Sequence, residues 1–407
     1  MARAKQRRTS FEDISSYTSK QAYKKNKKKK KKTGLIAFLS VIFSVLIVLG
    51  GGLMGVSAFV LSDLDTTTIA QDNETLGIVE NPEREEEIIN IALFGVDSRK
   101  DRGEDKALVG RSDAIMIISI DKVHDKVKLI SLLRDVRVYL GEESPYQSGY
   151  DKLNHAYAYG GPQFAIRTLN QTYDLNIKDY VSVNLAGMAE IIDAFGGVDL
   201  DVTAAEIEQI NNNIGGLHYE NPELFDDQAN YYRGEPGFVH LNGIQAVAYG
   251  RIRNIDSDNM RANRQQEILS ALLGKLTTLS TMEYPSVISN MLPLVETSLS
   301  ISDIIDLAGI IVDGFTIDRL VIPGEIIPAK TGFHEGGAWM WTYDLDHAAA
   351  YIHSFIYETE MTYDPEAKAE EEETSDEASE ETSEDGTEEE SSDEESGEEA
   401  ETDGQTQ

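Results

Sequence analysis

"DAIMIISIDKVHDKVKLISLLRD" (Asp113–Asp135) carries two apolar runs, residues 113–121 and 126–135, separated by a short charged turn. Both are rich in branched residues, and both end on an aspartate. They are short for helices and dense enough in Ile, Val and Leu to read as core strands. "IINIALFGVD" (88–97) has the same character. Further out, "YVSVNL" (180–185), "GVDLDV" (197–202) and "RLVIPG" (319–324) read as strands too. Helical patterns are expected at 162–173, 185–197, 258 to about 280, 283–297, 301–312 and 345–357. Strands alternating with helices indicate an α/β layered sheet, whose ligand sites lie in loops beyond the strand ends.

The termini differ sharply from this middle. Residues 1–33 are basic and end in a lysine run; residues 34–61 carry no charge. At about 1.5 Å per residue that run exceeds a ~30 Å hydrocarbon core and is expected to be one transmembrane helix. The lysines place residues 1–33 in the cytoplasm and the remainder outside. A cleaved signal peptide is the rival reading, with Val56–Ala58 as a weak cleavage site. Its apolar core would be shorter, about 7–15 residues, which favours the uncleaved anchor. Residues 62–87 read as a polar stalk, 88–360 as an extracytoplasmic folded domain, and 361–407 as a disordered acidic tail with too little apolar surface to fold.

The chain has 72 Asp plus Glu against 36 Lys plus Arg and no cysteine. The charge argues against nucleic acid as a partner. The missing cysteines exclude thiol catalysis and thiolate metal sites, and suit a bacterial surface protein anchored by one helix.

Against that acidic background, cations gather at the expected strand ends. Asp97 and Arg99 follow the first strand, Arg111 and Asp113 open the second, and Arg134 and Asp135 close the third. Paired carboxylates among arginines suit Mg²⁺ and phosphate oxygens; salt bridges between loops are the plainer alternative. "YGRIRNIDSDNMRANRQQ" (249–266) holds four more arginines. Arg261, Arg264 and Gln265 share a face near a helix N-terminus, which favours an anion. Arg251 and Arg253 precede it, and Asp256 and Asp258 either cap the helix or orient the arginines. "DKLNHAYAYGGP" (151–162) adds Lys152 and His155, the histidine as a proton carrier or as a packed neighbour of the helix.

"FGVDSR", "GRSDAIMIISID", "LISLLRD", "KLNHAYAYGGP", "IIDAFGGVDLDV" and "LNGIQAVAYGRIR…RANRQQ" follow one another in that order. Together they resemble the LytR-CpsA-Psr family of bacterial cell-wall enzymes, over about residues 88–280 and more weakly to about 357. The resemblance implies an αβα sandwich with a central mixed sheet and an apolar tunnel for a polyprenyl chain. It implies transfer of a glycopolymer (teichoic acid, capsule or another wall polysaccharide) from a polyprenyl-pyrophosphate carrier to a peptidoglycan hydroxyl at the membrane. The implied metal ligands are Asp97 and Asp113, holding Mg²⁺ (or Mn²⁺). Arg99, Arg111, Arg134, Lys152, Arg251, Arg253, Arg261 and Gln265 are expected around the pyrophosphate, with Arg111, Arg134, Asp258 and Arg261 as the catalytic set. The chain departs from the family at Leu133, where Pro is usual, and at Met260, where Gly is frequent. Hydrolysis of the pyrophosphate, and a non-catalytic attenuator of transcription, are the competing functions.

Overall fold

The computed structural model describes residues 65–66, 68–78, 87–97, 110–220, 230–278, 290–300, 303–304, 307, 315–361 and 363. The basic segment, the apolar run 34–61, Arg99, nearly all of the acidic tail and most of the helix expected at 301–312 lie outside the described residues. Among the described residues no helix is long and apolar enough to cross a membrane.

The strands are β1 (Asp65–Thr66), β2 (Ile88–Asp97), β3 (Arg111–Asp121), β4 (Lys126–Leu132), β5 (Arg137–Tyr139), β6 (Tyr150–Lys152), β7 (Asp179–Asn184), β8 (Val198–Val202), β9 (Gly237–Leu241), β10 (Val295–Thr297), β11 (Thr316–Ile322), β12 (Lys330–Phe333) and β13 (Trp339–Thr342). Seven of them make a mixed sheet in the order β1-β10-β7-β2-β3-β4-β11; β5–β6, β8–β9 and β12–β13 are separate pairs. The helices are α1 (Leu153–Tyr173), α2 (Leu185–Ala194), α3 (Ala204–Glu220), α4 (Gly243–Gly250), α5 (Asp258–Leu276) and α6 (Leu345–Tyr357).

The central strands read as unbroken apolar runs because the sheet is covered on both faces. Ile115 and Ile117 of β3 face a core shared with α1 and α6, and Met116 and Ile120 face a second core on the other side. Helix α5 packs there in two directions. Leu269 and Leu273 meet the sheet, while Ile268 and Leu272 meet a third core formed with α2, α3, α4, β8 and β9. Its wholly buried Gln266 donates from Nε2 to the carbonyls of Leu129 (3.1 Å) and Leu320 (2.7 Å), which fixes α5 over β4 and β11.

Three expectations need revision. Residues 65–78, read as stalk, are built into the fold: β1 extends the sheet, and Ile69, Leu76 and Ile78 are buried in the α1 core. Their spacing is too irregular for a helix or strand pattern, so the sequence hides them. Residues 283–289 of the helix expected at 283–297 lie outside the described residues, and its second half differs: residues 292–294 form a 3₁₀ turn around Pro293 and 295–297 are strand β10 against β7. Helix α1 begins at Leu153, nine residues earlier than read, with a break at Gly160–Gly161. Gly161 takes φ +67°, a conformation open to glycine, and Pro162 restarts the helix with its fixed φ.

Candidate functional site

Helix α5, the β4 exit and the β3 entry meet at one end of the sheet. Val96 pairs with Ser112 and Gly95 with Ala114, so Asp113 is the extra residue of a β-bulge. Bulges re-aim the side chain they insert, and Asp113 turns its carboxylate to the Arg134 guanidinium. Arg134 also donates from Nε to Asp135 (3.3 Å), whose other oxygen accepts from Lys152 Nζ (2.8 Å). The backbone here is tied on three sides: Leu133 N to Ile322 O, Asn154 N to Arg134 O, and Trp341 N to Asp135 O. Burial opposes the Arg134 charge, yet Asp113 and Asp135 together hold its pKa above the ordinary value. Asp135 is kept below the usual carboxylate range by Lys152 and Arg134, against its burial.

Ser257 caps α5, its hydroxyl accepting from Met260 N. That frees Asp258 to hold arginines: its carboxylate takes Arg253 Nε at 3.1 Å and lies 3.5 Å from Arg261. Arg261 is 7% exposed. Its pKa is pulled down to about 10, by burial first and then by the charges of Arg134 and Arg253, while Asp258 and Asp113 act the other way. It therefore remains a cation at neutral pH, held against two other cations. Asn259 donates to the Pro323 carbonyl at 2.8 Å and pins this helix end to the β11 exit.

A second group adjoins the first. Asp151, wholly buried, accepts from His155 Nδ1 (2.7 Å) and from the Tyr159 hydroxyl (2.6 Å). Burial lowers the His155 pKa, helped by the charges of Arg111 and Lys152 and opposed by Asp151. His155 Nε2 is buried with no hydrogen-bond partner among the described residues.

A family model described as the LytR_cpsA_psr family matches residues 57–353. The chain belongs to the LytR_cpsA_psr family. Among curated proteins, it is 29% identical over 269 residues to "Polyisoprenyl-teichoic acid--peptidoglycan teichoic acid transferase TagU" of Bacillus mycoides, covering 64% of this chain and 78% of that one. It is 30% identical over 275 residues to "Biofilm regulatory protein A" of Streptococcus mutans (66% and 63%). It is 26% identical over 313 residues to the teichoic acid transferase TagT of Bacillus subtilis (74% and 88%). The fold is that of the solved structure "TagT bound to LI-WTA", with a TM-score of 0.54 at 22% identity over 71% of this chain and 99% of that one. TagT with bound octaprenyl pyrophosphate lipid superposes with a TM-score of 0.51 at 20% identity, over 71% and 99%.

Within this family frame, the structure gathers Asp113, Arg134, Lys152, Arg253, Asp258 and Arg261 into one network. Arg111 opens β3 opposite Asp97 and acts on His155 and Tyr159 through its charge. Arg251 is the C-cap residue of α4. Gln265 donates to the Gly250 carbonyl at 3.3 Å, joining α5 to α4. Arg264 departs from the face that its spacing suggested. It is 3% exposed, paired with Glu206 and Asp256, and set over the Tyr249 ring, so it serves the fold. Asp256 thus binds Arg264, and neither it nor Asp258 is the helix cap. Asp151 and Tyr159 escaped the sequence reading. Asp151 of β6 lies four positions before His155, and Tyr159 four positions after it on α1, and this repeated spacing of four was the available signal. Met260 is exposed, its sulfur within 3.9 Å of Asn263 Nδ2.

Asp97 and Asp113 stand at the ends of adjacent strands, and the Asp113 side chain is 42% exposed. Among the described residues no three His, Asp or Glu side chains come together as a metal cage. This donor set still fits Mg²⁺, which is commonly held by one or two carboxylates with water and substrate phosphates completing its shell.

Proposed function

We propose that this protein transfers a glycopolymer from a polyprenyl-pyrophosphate carrier to a peptidoglycan hydroxyl, forming a phosphodiester. The observation that carries this reading is Arg261: a guanidinium buried among other cations, with one carboxylate 3.5 Å away. A structural ion pair would neutralise such a group more closely, as Glu206 and Asp256 do for Arg264. A bound pyrophosphate supplies the missing negative charge, and guanidinium forks match its oxygens.

In the proposed step the acceptor hydroxyl oxygen attacks the phosphorus next to the sugar. The new P–O bond forms as the bridging P–O bond breaks, polyprenyl phosphate leaves with the electron pair, and the hydroxyl proton passes to the departing phosphate or to water. Arg134, Arg253 and Arg261 stabilise the charge that builds on the transferred and leaving oxygens, and Asp113 and Asp258 hold those guanidiniums in place beforehand. Phosphoryl transfer needs mainly such positioning and charge stabilisation. Asp97 and Asp113 would hold Mg²⁺, which when bound supplies Lewis-acid polarisation of the phosphate. Residues 34–61 serve as a single membrane anchor, with residues 1–33 cytoplasmic and the domain outside, where carrier and wall are found.

The test incubates the full chain with a lipid-linked saccharide and a peptidoglycan oligomer. Saccharide joined to the oligomer through phosphate supports transfer. Free saccharide phosphate with an unmodified oligomer would make the protein a hydrolase instead.

A further inference from the structure

Two small hairpins extend from the arginine network, and the proposed function gives neither a role. In β5–β6, Arg137 faces Lys152 and Tyr139 faces Tyr150 across the ladder, while Val138 and Asp151 point to the buried side. One face thus runs outward from Lys152, at the reaction network, to a pair of tyrosine rings. The Arg137 guanidinium lies 3.8 Å from the Tyr150 ring centroid, and the two rings meet edge-on at 5.2 Å. In β12–β13, Phe333 faces Trp339 and Thr331 faces Trp341, with Met340 buried on the reverse side. The two indoles stand 5.4 Å apart.

The hairpins are joined to each other and to the network. Val136 bridges to Trp341, and Trp341 N donates to the carbonyl of Asp135, the residue that holds Arg134 and Lys152. At their tips, Glu335 accepts from Gln147 N (3.2 Å) and Ser148 N (3.3 Å). A Cβ on Gly149 would lie 2.5 Å from the Tyr139 ring, and one on Gly336 would lie 2.3 Å from the Tyr146 ring, so these glycines let the rings lie on bare backbone. Tyr139 is nonetheless 62% exposed and Phe333 78%.

The exposed rings of Tyr139 and Phe333, interleaved with polar side chains and backed by half-buried aromatics, suit the C–H faces and hydroxyls of a sugar chain, in the way that amphipathic rings serve at binding surfaces. We propose that these two hairpins are the docking surface for the glycan strand of the acceptor, a proposal that rests on the transfer reading above. Charge does not draw the donor polymer here. Glu142, Glu143 and Glu335 balance Arg137, Lys152 and Lys330 on these two hairpins, which gives a polyphosphate chain no net attraction and suits a neutral N-acetylated glycan. Continuity with Lys152 and Asp135 brings a docked strand alongside the phosphorus it must attack.

The chain has two tryptophans, Trp339 on the hairpin and Trp341 packed beneath it against the main core, so a change in indole emission reports on this region. The experiment titrates the detergent-solubilised full chain with N-acetylglucosamine tetramer, using maltotetraose as control. A saturable emission change with the first sugar and none with the second is expected. Tyr139→Ala and Phe333→Ala, both at exposed positions, should each weaken it about tenfold or more. No emission change, or undiminished affinity in both variants, overturns the proposal. Binding of polyprenyl pyrophosphate is followed on the same samples. Tetramer binding with no polyprenyl pyrophosphate binding would sink the transfer reading and leave the glycan surface standing. Polyprenyl pyrophosphate binding with no tetramer response would do the reverse.

Discussion

Lys152 Nζ stands 2.8 Å from Asp135 Oδ1, and this contact splints the β6 end to the β4 exit. The other oxygen of the same carboxylate steadies Arg134. Asp135→Asn keeps the shape but sets an amide N–H₂ against one of two cationic donors. The expected result is a loss of about 1–3 kcal/mol of stability, since the carboxylate is largely buried, together with weaker pyrophosphate binding. Thermal melts and donor titrations on the one variant check both; a change below about 1 kcal/mol would mark an ordinary surface pair.

Arg261 and Arg264 lie one helical turn apart on α5 and should respond oppositely. Arg261→Ala, and even Arg261→Lys, should lower transfer by roughly 10–100-fold with little change in melting temperature. Arg264→Ala should lower the melting temperature sharply, because it leaves Glu206 without its buried partner, a loss of about 3–5 kcal/mol. Turnover and melting curves on the three variants distinguish the roles, and equal behaviour would refute the division.

His155 carries a pH signature. Its folded pKa lies below the ordinary 6.5, through burial and the nearby charges of Arg111 and Lys152, with Asp151 opposing. The folded state therefore favours the neutral ring. Its contribution to stability is whole above pH 6.5, falls as pH drops below that value, and levels off below the folded pKa. His155→Gln should flatten this part of the profile of melting temperature against pH. An unchanged slope would place the acid sensitivity elsewhere.

Removal of divalent cations by EDTA should abolish transfer, and Mg²⁺ or Mn²⁺ should restore it. Asp97→Asn and Asp113→Asn should each raise the Mg²⁺ concentration needed for half activity. Activity that survives EDTA, or variants with the wild-type Mg²⁺ response, would remove the metal from the reading.

Protease added to intact protoplasts should digest the domain and spare residues 1–33. Loss of the N-terminal segment alone would reverse the proposed orientation.

Much of the sheet was legible because burial on both faces writes strands as unbroken apolar runs. Ile115–Ile120 and Val127–Leu132 need no partner to be recognised. Residues 65–78 were not legible, since Ile69 and Leu76 enter the core from irregular backbone with no period. The charged types at the site were visible, but their allegiance was not. Helical spacing grouped Arg264 with Arg261, and only Glu206, 58 positions away in sequence, shows which arginine is spoken for. Asp113 and Asp258 likewise take their roles from a bulge and from a serine that caps the helix in their stead.

Lys128 gives the fold a direction. Buried in β4, it donates to the Ile356 carbonyl (2.6 Å) and pairs with Glu358 (3.1 Å), so the end of α6 is moored where β4 begins. Arg134 lies where β4 ends. The sheet therefore has an arginine pole and a departing pole, about 20 Å apart along a seven-residue strand. The polyanionic sequence after Glu358 starts from the departing pole and not beside the arginines, where it would compete for their charge. The same pole offers a handle: a label, tether or truncation placed after Glu358 should leave the arginine pole uncrowded.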